Sequence, residues 1–442
     1  MKKISIVLLC LSFTFSSMFA GCARNPANPP AAGGSTAAGS TTAGTAPAQK
    51  IGVKISCWGI ETDPNSQIIK DAVTMFNQNN KLNATAAVEF TEQEQYKTKI
   101  AAAMAANQVP DVFNTWAAGF LKPFVQAGKV YDLTGKLNSD TEWKNRYVPG
   151  VYTSLQFDGK VYALPTTQTV ACLFYNKDIF KKYNLTEPKT YDDLLNIVKV
   201  LKDNGVTPFA LGNKAPWVGA MLSEIIINRV GGTTPFNNVY NGTGTWEDPA
   251  FIEGGKRMAE LANLGAFPTG FNALDNDPAQ ADFRAGKSGM LFMGSWAIQQ
   301  LYTDMKDKLD VCKFPAIAGG KGNADSWVGQ PDQSFAISAK SAVADAAAEF
   351  IKTVSDPAIQ TKLNEAGNLI ATNVTPDQSK VNPIALKVAN LLKDMKELFV
   401  FYDVGLGATI GNEYNNTIQA ITAGKKPEDA FKTLQQFTEQ NK

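Results

Sequence analysis

The side chains able to do chemistry in this chain are few in kind. None of its 442 residues is histidine. That removes the commonest general base, the commonest metal ligand and every Ser-His or Cys-His nucleophile pair. The acidic candidates are Glu61, Asp63, Asp111, Asp332 and Asp403. Hydrolysis of a sugar bond would need two of them across it, about 5–5.5 or 6.5–9.5 Å apart. A single carboxylate instead accepts hydrogen bonds from hydroxyl groups, and Asp111, following Pro110, reads equally well as a turn cap. Gly286-Lys287-Ser288 lacks the upstream glycine of a phosphate-binding loop, so nucleotide binding is not expected. Cys57, Cys172 and Cys312 have no CxxC spacing and read as scattered buried thiols. No metal or cofactor is expected.

The chain has seven tryptophans. Trp143 and Trp246 lie in polar stretches that read as surface and keep the ordinary assignment, partial burial in a core. Trp58, Trp116, Trp217, Trp296 and Trp327 each stand just beyond a strand end or in a turn between elements. A sugar presents apolar C–H faces and a belt of hydroxyls. A flat ring supplies apolar area at little entropic cost, and neighbouring amides and carboxylates take the hydroxyls. With 42 basic and 41 acidic residues the chain shows no polyanion-binding bias. This bias toward aromatic and amide groups favours an uncharged oligosaccharide over a polyamine, peptide, iron complex or phosphate.

These residues are positioned by alternating strands and helices. Ile51 to Trp58 alternates as a strand, and Ile68, Ile69, Ala72, Val73 and Phe76 form a helical stripe. A strand at Thr85 to Phe90, a helix through Tyr96, Ile100 and Met104, and a strand after Pro110 complete a β-α-β-α-β order. That order implies a largely parallel sheet with ligands at the carboxyl ends of its strands. Thr190-Tyr191-Asp192-Asp193 is a capping box that opens a second such system. Between the two lies Asp158 to Phe180, DGKVYALPTTQTVACLFYNKDIF. It reads as two short β-runs flanking an exposed polar run, Thr166-Thr167-Gln168-Thr169, with Pro165 at the break.

GKVYALP followed by LFYNKDIF resembles the hinge-crossing strand of extracellular solute-binding proteins of the carbohydrate-specific, maltose-binding-protein-like class. Three further stretches agree in order: FRAGKSGMLFMGSW (283–296), AAEFIKTVSDPAIQTKLNEAG (347–367) and the C-terminal run from Asn416. The resemblance covers roughly 50–442. It implies an α/β, two-lobed periplasmic-binding-protein-like fold (type II), with the hinge crossed about three times and the ligand cleft between the lobes. One lobe would hold 50–166 and 331–372, the other 167–330 and 373–442. Matched residue by residue, Trp296 falls on a stacking tryptophan and Trp217 on an aromatic platform. Asn114, Thr115 and Trp116 fall on a sugar-contacting loop. Thr169, beside Gln168, stands where a carboxylate is found in maltose-binding protein. Trp327, Gln330 and Asp332 flank the second crossing. Phe401-Tyr402-Asp403 aligns loosely with an aromatic site, of which Tyr402 and Asp403 are the candidates. Trp58 and Asp63 complete the expected set. The implied role is binding without catalysis, as the receptor of an ABC importer with permease subunits as partners. A sugar-sensing or adhesive surface protein is the alternative, and a surface glycosidase a remoter one.

The N-terminus carries its own signals. Lys2-Lys3 followed by an apolar run to Phe19 reads as a signal peptide over 1–21, and Phe19-Ala20-Gly21-Cys22 as a lipobox, with Cys22 lipidated. A two-chain lipid holds a protein stably at a membrane. Residues 22–49 form an uncharged Ala/Gly/Ser/Thr/Pro linker spanning on the order of 25–30 Å. The expectation is a monomer on the outer face of the cytoplasmic membrane of a Gram-positive cell.

Overall fold

The structure, a computed structural model, describes residues 51–58 and 64–441, with side chains from Asn65 onward. The signal segment, Cys22, the linker, Glu61 and Asp63 lie outside the described residues, as do the side chains of Cys57 and Trp58.

Strand β1 (Ile51–Trp58) runs parallel to β2 (Ala84–Thr91) on one side and to β3 (Val112–Thr115) on the other. Between β1 and β2 lies the helix Pro64–Asn79, which buries Ile68, Ile69, Ala72 and Phe76 at helical spacing. The helix Gln93–Ala106 buries Tyr96, Ile100 and Met104, one residue per turn, and ends on Asn107 in the left-handed conformation. Further along come β4 (Ala163–Asn176), β5 (Thr207–Phe209), β6 (Ser288–Gly294), β7 (Leu309–Cys312), β8 (Ser326–Ile337), β9 (Leu369–Ile370) and β10 (Glu397–Phe399). The helix Tyr191–Asp203 carries the expected capping box: Thr190 accepts from the Asp193 N–H, and Asp193 accepts from the Thr190 N–H.

The strands join into one ten-stranded sheet in the order β2-β1-β3-β8-β4-β6-β5, with β7 and β9 also on β4 and β10 on β8. The long partners β4 and β8 run antiparallel from Ala163 opposite Ala336 to Val170 opposite Gly329. Packing nevertheless divides the chain in two. One apolar cluster draws its buried residues from 170–328 and 384–434. Two others draw theirs from 68–164 and 335–371. The chain therefore changes core in the middle of β4, in the middle of β8, and again after β9. We call these the first lobe (containing β1–β3) and the second lobe (containing β5–β7).

Two sequence expectations are corrected here. The stretch around Thr166–Thr169 is not an exposed break but the middle of one continuous strand, with Thr166, Thr167 and Thr169 buried. Both edges of that segment are covered, by β8 and β9. Its polar groups are satisfied locally: the Thr166 hydroxyl donates to the Gln333 carbonyl at 2.8 Å, and Gln168 Nε2 to the Ile370 carbonyl at 3.2 Å. Pro165 is tolerated inside the strand because the ladder is interrupted beside it, where Gln333 takes a left-handed φ of +44°. Trp143 and Trp246 lie in polar stretches that read as surface, but the rings themselves are not at the surface: the core assignment of both holds, and they are fully buried. Trp246 Nε1 donates to Thr438 Oγ1 at 3.0 Å, and its ring stacks on Tyr414. The polar residues after it are there to start the next helix, where Asp248 accepts the Ala250 N–H. Cys172 and Cys312 are buried free thiols.

Candidate functional site

The crossing segments bring several candidate residues into register. Thr167 stands opposite Asp332, Gln168 opposite Pro331, and Thr169 opposite Gln330. The Thr169 and Ser295 hydroxyls are 3.3 Å apart, and Ser295 Oγ also accepts the Val170 N–H at 3.3 Å. Gln330 is buried and its Oε1 has no hydrogen-bond partner among the described residues. Such an acceptor is costly unless something donates to it. On the first-lobe side, Thr115 stands opposite Ser334 and Asn114 opposite Phe335. Tyr96 donates its hydroxyl to the Asn114 carbonyl at 2.7 Å, fixing the end of β3. Trp116 packs edge-on against Phe120 (4.7 Å) and Tyr96 (6.1 Å), with the Lys97 ammonium over its ring.

An aromatic group lies on the second-lobe side. Trp296 and Trp217 are both half-buried, with ring centroids 6.1 Å apart at 59°; Phe401 lies 6.2 Å from Trp296. A Cβ at Gly294 would enter the six-membered ring of Trp296, so the indole lies folded over that glycine. Glycine is needed at 294 for close approach, not for an unusual dihedral. Trp217 begins the helix Trp217–Gly231, whose first turn is tied down because Asn213 Oδ1 accepts the Gly219 N–H at 2.9 Å. The Asn213 carbonyl in turn accepts from Gln419 Nε2 at 2.6 Å.

Behind this group the helix Tyr402–Thr422 breaks at Gly407, so its first turn is set apart from the rest. Glu224 reaches it from the helix Trp217–Gly231, accepting the Tyr402 N–H at 3.0 Å on Oε1; its Oε2 is buried without a partner among the described residues. Burial holds the Glu224 carboxyl well above the ordinary glutamate value, and the negative charge of Asp403 adds to the shift. Asp403 itself is half-buried, accepting from Val404 N–H at 2.8 Å and Asn415 Nδ2 at 3.1 Å.

Two candidates are corrected. Tyr402 belongs to the core: Phe236 lies flat on its ring at 3.7 Å, and Tyr414 and Phe399 close on it from other sides. No face is left for a sugar. Trp327 is likewise buried within the second-lobe cluster, and its backbone pairs with Leu398 of β10. Phe401, one residue before Tyr402, is the ring that meets Trp296. Asp111 is structural, its side chain accepting from the Ser341 hydroxyl at 2.7 Å.

The sequence profile described as bacterial extracellular solute-binding protein matches residues 59–361, more than half of the chain. The chain belongs to that family. Among relatives of known name, this solute-binding protein is 28% identical over 311 residues to the multiple sugar-binding protein of Streptococcus mutans, covering 65% of this chain and 72% of the relative. A structure from work on xylan utilization by the thermophilic bacterium Caldanaerobius polysaccharolyticus superposes with a TM-score of 0.83 at 32% identity, over 87% of this chain and 99% of the other. A chitin oligosaccharide binding protein superposes at 0.79 and 27%, over 87% and 98%. The two-lobed, type II fold is therefore shared. In the described residues of this solute-binding protein no helix is long and apolar enough to cross a membrane, and no cluster of three or more acidic or cysteine side chains is placed to hold a metal ion.

Ser295, Phe401 and Glu224 were not singled out by sequence. Ser295 was hidden between the more conspicuous Gly294 and Trp296. Glu224 is the one acidic residue of the helix Trp217–Gly231 and is followed by three isoleucines, the signal that could have marked it as a buried carboxylate.

Because Glu224 takes up its proton more readily folded than unfolded, it favours the native state below about pH 4.5 and loses that contribution as pH rises through its elevated native value. The phenols packed around it, Tyr402 and Tyr414, are themselves held high, first by burial. Glu224→Gln should therefore flatten the fall in melting temperature between pH 5 and 8.5 and melt above the parent at pH 8.5. Thermal unfolding followed by circular dichroism across that range checks it. Parallel curves for the two proteins would place the ionised carboxylate in an environment that stabilises it.

Proposed function

We propose that this solute-binding protein captures a neutral oligosaccharide between its lobes and delivers it to the permease of an ABC importer. The observation that carries this reading is the Trp217–Trp296–Phe401 group standing beside the hydroxyl and amide groups of Thr169, Ser295 and Gln330. Flat rings meet the C–H faces of pyranoses while the polar ladder meets their hydroxyls. The names of the Streptococcus relative and of the chitin oligosaccharide binding protein support a sugar as ligand. Asp332 and Asp403 would accept hydroxyl hydrogens as single carboxylates. Gln168, Asn114, Thr115 and Trp116 would approach from the hinge and first lobe, joined by Trp58 and Asp63. The hinge segments separate a lobe of 50–166 and 331–372 from one of 167–330 and 373–442.

A panel of xylotriose, cellotriose, raffinose, chitotriose, amino acids, dipeptides and polyamines, screened by thermal shift, tests the ligand class. Binding to the native state raises the melting temperature by mass action. Neutral oligosaccharides are expected to respond, and response to a charged small molecule alone would overturn the reading. Cleavage of the responding sugar would instead make the protein a glycosidase. Trp296→Ala and Trp217→Ala should each weaken binding of the responding sugar by about 2–4 kcal/mol, the scale of aromatic hot spots. Calorimetric titration measures it. Loss of thermal stability in step with affinity would assign both rings to the core.

The lipobox and linker support anchorage of a monomeric receptor to the outer face of the cytoplasmic membrane of a Gram-positive cell, after removal of 1–21. Cys22→Ser should shift the protein from the membrane fraction to the medium, read by immunoblot of fractionated cells. An unchanged membrane fraction would refute lipidation at Cys22.

A further inference from the structure

The two lobes also meet at a contact made of glycine backbone. Gly119 lies three residues after Trp116, between Ala118 and Phe120, both packed on a first-lobe cluster. Gly405 and Gly407 lie in the displaced first turn of the helix Tyr402–Thr422, where Gly405 rests on Val400 and Phe236 of the second lobe. A Cβ at Gly119 would run into the carbonyl oxygen of Gly405 and stand 2.5 Å from the Gly407 nitrogen. A Cβ at Gly407 would stand 2.8 Å from the Gly119 carbonyl oxygen. The contact is reciprocal: each glycine turns the hydrogen that a side chain would replace toward a carbonyl of the opposite lobe. These are weak Cα–H···O contacts individually, but they require the backbones to come together without side chains between them. Beside them Val404 packs against cores of both lobes.

The demand for glycine has a different origin at each position. Gly407 has φ +80° and breaks its helix, so its own lobe requires it. Gly119 is not in the left-handed region, and the atoms nearest to its would-be Cβ all belong to the other lobe. None of those nearest atoms gives its own lobe a reason for glycine there. Its conformational freedom is a cost to folding, set against a contact that exists only when the lobes are together.

We propose that Gly119 is the closing contact of the two lobes: it sets how far they approach and thereby the affinity for ligand, without touching the ligand. A methyl group there holds the lobes apart by on the order of 1 Å, the overlap it would otherwise make. Observed affinity scales with the fraction of molecules able to reach the bound arrangement. The proposal rests on the sugar reading only for the choice of ligand.

The test places spin labels on exposed positions of each lobe, by Lys122→Cys and Asn412→Cys, and measures their distance distribution by pulsed electron paramagnetic resonance. It is run with and without xylotriose, cellotriose, raffinose and chitotriose, in the parent and in Gly119→Ala. The parent should show a short-distance population that a bound oligosaccharide enlarges. Gly119→Ala should lose that population and bind the same sugar at least about tenfold more weakly, while its unliganded melting temperature stays within about 2 °C of the parent. Gly405→Ala is the contrast, because its Cβ would meet Val400 and Phe236 at 3.1 and 3.2 Å within its own lobe. It should lower the melting temperature and keep the short distance. A Gly119→Ala protein with the parent's short-distance population overturns the proposal, as does a parent that never shows one. A parent that reaches the short distance but responds to none of the four sugars counts against the sugar reading alone.

Discussion

The structure depends on the antiparallel pairing of β4 with β8. These two strands are the only long ones that contribute to both cores among the described residues, passing from Leu164 to Val170 and from Val328 to Phe335 as they change lobe. Pairing runs along them from Ala163 to Val170 except at Thr166, opposite which the left-handed Gln333 interrupts the register and accepts the Thr166 hydroxyl on its carbonyl. A sheet with one weak rung bends more readily there than elsewhere, since fewer backbone bonds resist rotation about that point. The third segment, β9, pairs with the same residues of β4 from the other edge. Polar side chains at this crossing are thus buried by backbone on two sides, and the strand can be threonine-rich without facing water.

The same crossing explains how the aromatic group is held. Ser295 joins β4 by hydrogen bonds to Val170 and Thr169, which fixes the turn between β6 and Trp296. Gly294 then lets the indole fold back over its own backbone. Trp217 is set from a different direction, by Asn213 and through it by Gln419 of the helix Tyr402–Thr422. Two rings from separate elements meet because each is braced by its own polar contact. A loss of either brace would move one ring without unfolding the lobe.

The regular elements were largely legible in the sequence. Apolar residues at helical spacing marked Pro64–Asn79 and Gln93–Ala106, and the Thr190–Asp193 box marked the start of its helix, because those signals are local. The family resemblance supplied the lobes and the crossings, which no local pattern encodes. What the sequence hid was set by partners far away in the chain. Thr166–Thr169 looked exposed because its covering strands lie more than 160 residues later. Tyr402 and Trp327 looked like platforms because an aromatic residue near a turn carries no mark of what will lie on its face. Phe236, which lies on Tyr402, is distant in sequence and unremarkable there. The Gly119 contact was invisible for the same reason, since two glycines in separate turns say nothing of each other.

The way the cores are assembled also governs when they can form. The first lobe buries Phe335, Phe350 and Leu363 beside residues from its first hundred, and the second needs Phe431 and Leu434 beside Val170. The first-lobe core is not complete until residue 371 has been synthesised and the second not until 434, so neither can close on its early residues alone. Pairings this distant in sequence also form slowly once the chain is available. A chain whose cores close this late carries apolar residues such as Phe76 and Val170 without their native partners for most of its synthesis.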